Sequence, residues 1–179
     1  MDYNQLSKEI YAQNKAVGWW DDPNRCLFET LQLVSTEVAE ATEAERKDLA
    51  DDHLPHRKGG EVELADALIR VLDLGGRLGL EYLEPPRAIN EVEYLSSSAG
   101  AIHLTINRCV IELADSLTDR LREKTAPRHW SNLIDAIESA AVLLGHDDLQ
   151  GALLEKLEYN RHRADHKREN RAKANGKRF

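Results

Sequence analysis

The chain has 179 residues, with 24 Lys or Arg against 32 Asp or Glu for a formal net charge of −8, and 41% of its residues are hydrophobic. That is enough for one sizeable core and too short for two domains of about 100 to 200 residues each, so one domain spanning 1–179 is expected. No apolar run approaches the roughly 20 residues needed to cross a bilayer, and Met1 to Lys15 lacks the apolar stretch of a secretory signal, which excludes membrane-spanning functions and points to a cytoplasmic location.

Helical periodicity dominates and no strand alternation is visible, which predicts an all-α bundle of five to six helices. Leu6, Ile10 and Val17 mark a first helix ending near Gly18. Asp21-Asp22-Pro23-Asn24 reads as a turn into a second helix, with Asp22 as N-cap and Pro23 at the first helical position. Its apolar stripe is Leu27, Leu31, Val34, Val38 and Ala41, and it runs to about Asp48. Pro55 and Gly59-Gly60 mark a loop before a third helix over Glu61 to Leu80. Pro85-Pro86 and Ser96-Ser97-Ser98 bracket an irregular stretch. A fourth helix is predicted from about Ala99 to Lys124, and a fifth follows Pro127 with a core face of Trp130, Leu133, Ile134, Ile137, Ala141 and Leu144, capped by Gly145. The last begins near Asp147-Asp148 and runs into a basic tail, about 164–179.

Charge is uneven. Residues 156–179 hold nine Lys or Arg against three Asp or Glu, a balance of +6 that leaves −14 on residues 1–155. An acidic body suits divalent cations, and a basic segment suits phosphates or nucleic acid. Cys26 and Cys109 stand far apart with no CxxC pattern, which argues against a disulfide framework or zinc site.

The candidate chemistry lies in paired carboxylates. Glu37 and Glu40 are three residues apart, as are Glu63 and Asp66, so each pair shares a helix face with Cβ atoms about 5 to 6 Å apart. Glu37 lies only about 60° from the centre of its helix's apolar stripe, at 100° per residue. In the third helix Glu63, Asp66, Arg70, Asp73 and Arg77 form one narrow seam on an otherwise apolar helix. Four clustered carboxylates need a cation or a proton, and Mg²⁺, which prefers carboxylate, water and phosphate oxygens, is the expected ion, with Mn²⁺ as substitute. Asp66 with Arg70 and Asp73 with Arg77 also fit ordinary i,i+4 ion pairs on a solvent stripe. Glu43 makes a rival pair with Glu40.

On the last helix Lys156, Asn160, Arg163 and Lys167 recur within a sector of about 60°, continuing the line of Leu149, Ala152 and Leu153. Such a row of donors can bind phosphate, with Arg bidentate. His162 and His166 are four apart but lack the acid that completes a zinc motif, and their basic setting disfavours cations. Trp19 and Trp20, in a turn region, offer an aromatic plane for a nucleobase or are simply core. Val62 to Leu68 also has an echo in Ile111 to Leu117, without a preceding carboxylate pair to complete a second metal site.

With these residues in place, the chain resembles the MazG-like all-α nucleoside triphosphate pyrophosphohydrolases. Their EExxE and later ExxD motifs look like Thr36-Glu37-Val38-Ala39-Glu40 and Glu63-Leu64-Ala65-Asp66. A late Lys-x-x-x-Asn-x-x-Arg segment with a Gly-Lys tail is similar to Lys156, Asn160, Arg163 and Gly176-Lys177-Arg178-Phe179. The likeness covers about residues 19 to 80 and 153 to 179. Thr36 stands in place of the first acid, so one outer metal contact is expected to differ.

The resemblance implies cleavage of a (d)NTP between its α and β phosphates, giving a (d)NMP and pyrophosphate, with dGTP or dATP the expected substrate. It implies metal on Glu37, Glu40, Glu63 and Asp66, with catalytic roles for Glu37 and Glu40 and the proton acceptor not assigned among them. Lys156, Asn160, Arg163, Lys167, Trp19 and Trp20 would hold the substrate, and the chain would form a homodimer or homotetramer. The alternative is a helical nucleic-acid-binding protein using its basic tail, which predicts salt-dependent binding indifferent to Glu63. A ferritin-type carboxylate-bridged centre lacks its Glu-x-x-His pair.

Overall fold

The computed structural model describes residues 1–84, 98–118, 123–166, 168–171 and 173. Among the described residues it is all-helical: α1 (Tyr3–Ala16), α2 (Leu27–Lys47), α3 (Gly59–Leu78), α4 (Ala99–Thr118), α5 (Ala126–Leu143), α6 (Leu149–His162) and a four-residue α7 (Arg168–Arg171). No helix among them is long and apolar enough to cross a membrane.

The apolar pattern explains which helix is central. In α3, 14 residues are buried, including Val62, Leu64, Ala65, Ala67, Leu68, Val71, Leu72 and Leu74, so it must be covered on most sides. It packs against α1, α2, α5 and α6, while α4 packs on α2 and α5. Two glycines let this happen. A Cβ on Gly75 would lie 2.3 Å from the Trp130 indole, and one on Gly76 would lie 2.2 Å from the Ser7 carbonyl oxygen. Trp130, fully buried in α5, donates from its indole N–H to the Val71 carbonyl at 2.8 Å. Only a bare backbone allows so close an approach.

Helix ends differ from the sequence expectation in four places. The fourth helix, expected to run to Lys124, is described as Ala99–Thr118, and Glu123–Thr125 forms a 3₁₀ turn. The second helix begins at Leu27, not Pro23. Asp22 accepts from the Asn24 amide at 2.8 Å, and Arg25 donates to the Trp19 carbonyl at 2.7 Å, so a side-chain-bonded turn occupies the place of the cap. The third helix begins at Gly59, because the Gly59 amide donates to the Leu49 carbonyl at 2.8 Å and anchors the helix start to the end of α2. The last long helix stops at His162, with Arg163 extended at φ −65° and ψ 125°. Beyond Leu157 and the half-buried Tyr159, the sequence as far as residue 171 offers only Ala164 as an apolar side chain, and without a buried face helix propagation gains little.

Candidate metal centre and cavity

The acidic site forms where α2, α3 and α6 meet. Glu37, Glu63 and Asp66 each bring a carboxylate oxygen within 4.8 Å of the other two, the sole such His, Cys, Asp or Glu group among the described residues. Glu37 is buried on the core side of α2. Glu40, one turn on, is exposed and lines the same cavity without joining the three. Glu43 turns away and pairs on the surface with Arg46 at 2.8 Å and Lys47 at 2.5 Å. The rival Glu40–Glu43 pair therefore forms no centre.

Two cations are set among these acids. The Lys156 ammonium, 3% exposed, lies 3.0 Å from Asp66 Oδ2 and 3.9 Å from Asp51 Oδ2. Burial pulls its pKa down, but the charges of Asp66, Asp51 and Glu63 outweigh that and raise it, so it stays an ammonium. Arg70 is hydrogen-bonded and ion-paired to Glu37 across the α2–α3 contact, in place of the i,i+4 pair with Asp66. Asp73 accepts the Trp20 indole N–H at 3.0 and 3.1 Å. From Glu63 to Asp73 the seam of α3 is thus turned into the protein rather than decorating a solvent stripe, and Arg77 at its end is exposed.

Glu63 carries the strain of this arrangement. Burial, then the charges of Asp66, Glu37 and Glu40, push its carboxyl up to about 8 even with Lys156 pulling it down. Burial likewise raises Asp66, against the opposing pull of Lys156. Like charges held this close favour protonation or a bound cation. All the donor atoms are hard oxygens, which fits a Mg²⁺-type ion and suits no soft metal.

The site opens into a cavity of about 500 Å³ that runs along α3 from Glu63 past Asp66 and Arg70 to Asp73. Of the remaining sequence candidates, Asn160, Arg163 and Trp19 line it and Trp20 does not. Trp20 is buried beneath, with the Arg25 guanidinium 4.4 Å over its ring. Trp19 meets the His166 ring edge-on at 5.5 Å, and His162 pairs with Glu158 at 2.9 Å, so the two histidines do not converge. Arg163 reaches the cavity from beyond the end of α6 rather than from a continuous helical stripe. Lys167 and the Gly176–Phe179 tail lie outside the described residues.

Two further residues, Asp51 and Arg57, complete the surroundings of the site without any local motif to mark them for that role. Asp51 accepts the His53 and Leu54 amides at 2.9 and 2.6 Å and turns its second oxygen toward Lys156. Arg57, 10% exposed, ties α6 to the start of α3 through Glu61 at 3.0 Å, Asp148 at 2.9 Å and Glu155 at 2.8 Å. The Asp-Asp-His-Leu-Pro turn signal was present at 51–55, but its distant partner was not.

No family model, curated protein or solved structure matches this chain. The centre's own residues offer hard oxygen donors, a fixed ammonium beside them and an adjoining cavity.

Proposed function

We propose that the chain is a Mg²⁺-dependent nucleoside triphosphate pyrophosphohydrolase of the MazG-like all-α kind, cleaving between the α and β phosphates. The observation that carries this is the convergence of Glu37, Glu63 and Asp66 within 4.8 Å, with Lys156 on Asp66, at one end of a cavity of about 500 Å³. A purely structural cluster would gain nothing from adjoining an open cavity, whereas a polyphosphate needs both a cation-holding centre and room for the nucleoside.

Glu37, Glu63 and Asp66 would hold the ion, with Glu40 at the rim. When bound, Mg²⁺ supplies electrostatic stabilisation of phosphate charge and lowers the pKa of a coordinated water. Lys156 fixes the Asp66 carboxylate and contributes positive charge that needs no reorganisation. Arg70 orients Glu37 in the same way. Asn160 and Arg163, which line the cavity, supply donors for phosphate or sugar oxygens. A carboxylate lining the cavity would accept the proton of the attacking water.

Incubating the protein with each NTP and dNTP plus Mg²⁺ or Mn²⁺ tests this by product identity. Monophosphate and pyrophosphate are expected, and activity should vanish in Asp66→Asn. Release of orthophosphate and a diphosphate would reject α,β cleavage, and undiminished turnover in Asp66→Asn would reject the site.

A further inference from the structure

Asp73 is a buried carboxylate that the reaction above does not use. It lies seven residues after Asp66 on α3, so it stands about 10.5 Å further along the axis and only about 20° away in phase. Both line the same cavity. That separation compares with the reach of a nucleotide from its α-phosphorus to the far edge of its base. A ligand with phosphates at Asp66 would lay its base near Asp73.

The surroundings of Asp73 give it a defined chemistry. It is 6% exposed, and the Trp20 indole N–H straddles both oxygens at 3.0 and 3.1 Å. Asn14, Arg25 and Arg70 also favour its charged form, the two arginines through their charge. A buried carboxylate is costly unless it is hydrogen-bonded, and it accepts without donating when ionised. Trp20 approaches from beneath and does not line the cavity, whereas Asp73 does, so the carboxylate keeps acceptor capacity on its cavity side. That capacity suits a projecting NH₂ group better than a ring N–H lying flush with the base edge.

We infer that Asp73 reads the nucleobase, accepting a hydrogen bond from an exocyclic amine. The inference rests on the nucleotide reading of the carboxylate end. It restricts the favoured substrates to nucleotides of amine-bearing bases and makes Asp73 a specificity-determining residue. A hydrogen bond to a charged acceptor is worth about tenfold to a hundredfold in affinity.

Binding, rather than turnover, provides the test. Calorimetry on the full chain with Mg²⁺ would compare nucleoside monophosphates that differ at the amine: dGMP with dIMP, dAMP with purine deoxyriboside monophosphate, and dCMP with dUMP. In at least one pair the amine-bearing partner should bind about tenfold or more tightly. Asp73→Asn should compress that ratio by a similar factor. Equal affinities within all three pairs for the wild-type chain would overturn the inference, with no variant needed. So would a ratio that survives in a folded Asp73→Asn protein. A chain that discriminates in binding but releases no pyrophosphate from any triphosphate keeps Asp73 and loses the hydrolase reading. A chain that cleaves triphosphates regardless of the amine does the reverse, and one that binds no nucleotide loses both.

Discussion

The string Glu-Leu-Ala-Asp occurs twice, at 63–66 in α3 and at 112–115 in α4, and the two copies lead different lives. Leu64 and Leu113 are both fully buried, so the two helices present the string in the same phase. Around the first copy, α2 supplies Glu37 and α6 supplies Lys156. Around the second, Glu112 meets Arg108 at 3.2 Å and the His129 ring at 3.9 Å, and Asp115 is exposed. Even the residue before the string differs: Val62 is fully buried, whereas Ile111 is 62% exposed. Identical residues at identical spacing thus acquire different chemistry from what packs over them. Spacing on one helix is half of a site, and the other half is its cover.

The largest expected effect separates the copies by activity. Asp66→Asn should lower pyrophosphate release by about a thousandfold or more, in the range for losing an essential acid–base or ligand group. Glu112→Gln should leave it within about twofold, since nothing of that copy faces the cavity. Comparable losses in both variants, measured as kcat/KM on the preferred triphosphate, would remove the distinction. Next comes the ion pair that covers each copy. Lys156→Ala strands Asp66 and Asp51 without their shared cation, and breaking one side of a buried pair costs about 3–5 kcal/mol. Arg108→Ala takes away an exposed i,i+4 partner and should cost under about 0.5 kcal/mol. Urea melts of the two variants read this directly, and similar midpoints would mean that Lys156 is not holding the site together.

Legibility in the sequence followed the same division. Periodicity placed the helical cores well, because Leu27, Leu31, Val34, Val38 and Ala41 can share a face only in a helix. It also set Glu37 at the border of its helix's apolar stripe, while leaving Glu63 and Asp66 open to either a shared site or a solvent stripe. It could not choose partners. Arg70 looked like the mate of Asp66 because the two are four residues apart, yet it reaches across to Glu37. Glu40 matched the motif spacing as well as Glu37 did, but a step of 300° around α2 leaves it at the exposed rim. The end of α6 at His162 was hidden because a row of polar residues is compatible with a helix without requiring one. Asp51 and Arg57 were invisible for a different reason: their roles depend on residues about 100 positions away.

Asp73 extends the contrast one heptad beyond the first copy and yields a pH signature. Burial holds its carboxyl up to about 6, against the pull of Trp20, Asn14, Arg25 and Arg70, compared with 3.8 in a free chain. Above about pH 6 both folded and unfolded states carry the charge, and the folded state bears the full burial penalty. As pH falls from there toward the unfolded value, the folded protein takes up the proton first and the penalty is relieved. Asp73→Asn removes the penalty. The stability of the variant relative to wild type should therefore grow between about pH 4 and pH 7, by about 2–3 kcal/mol at 1.36 kcal/mol per unit. A difference that stays flat across that interval would mean that Asp73 is solvated and belongs with the exposed acids of α4.

The smallest contrast needs no charge at all. Val62 and Ile111 precede the two copies at the same helical phase, so placing the same hydroxyl at both measures cover alone. Val62→Thr puts a polar group into a fully buried position, where an unsatisfied hydroxyl costs about 1–3 kcal/mol. The i−4 carbonyl offers it a local partner, which sets the lower end of that range. Ile111→Thr puts the same hydroxyl into water, and the change should stay within about 0.5 kcal/mol. Equal losses in thermal or urea melts would show that α4 is covered in solution on the face that carries Ile111, and the second copy would then have to be reconsidered as part of an interface.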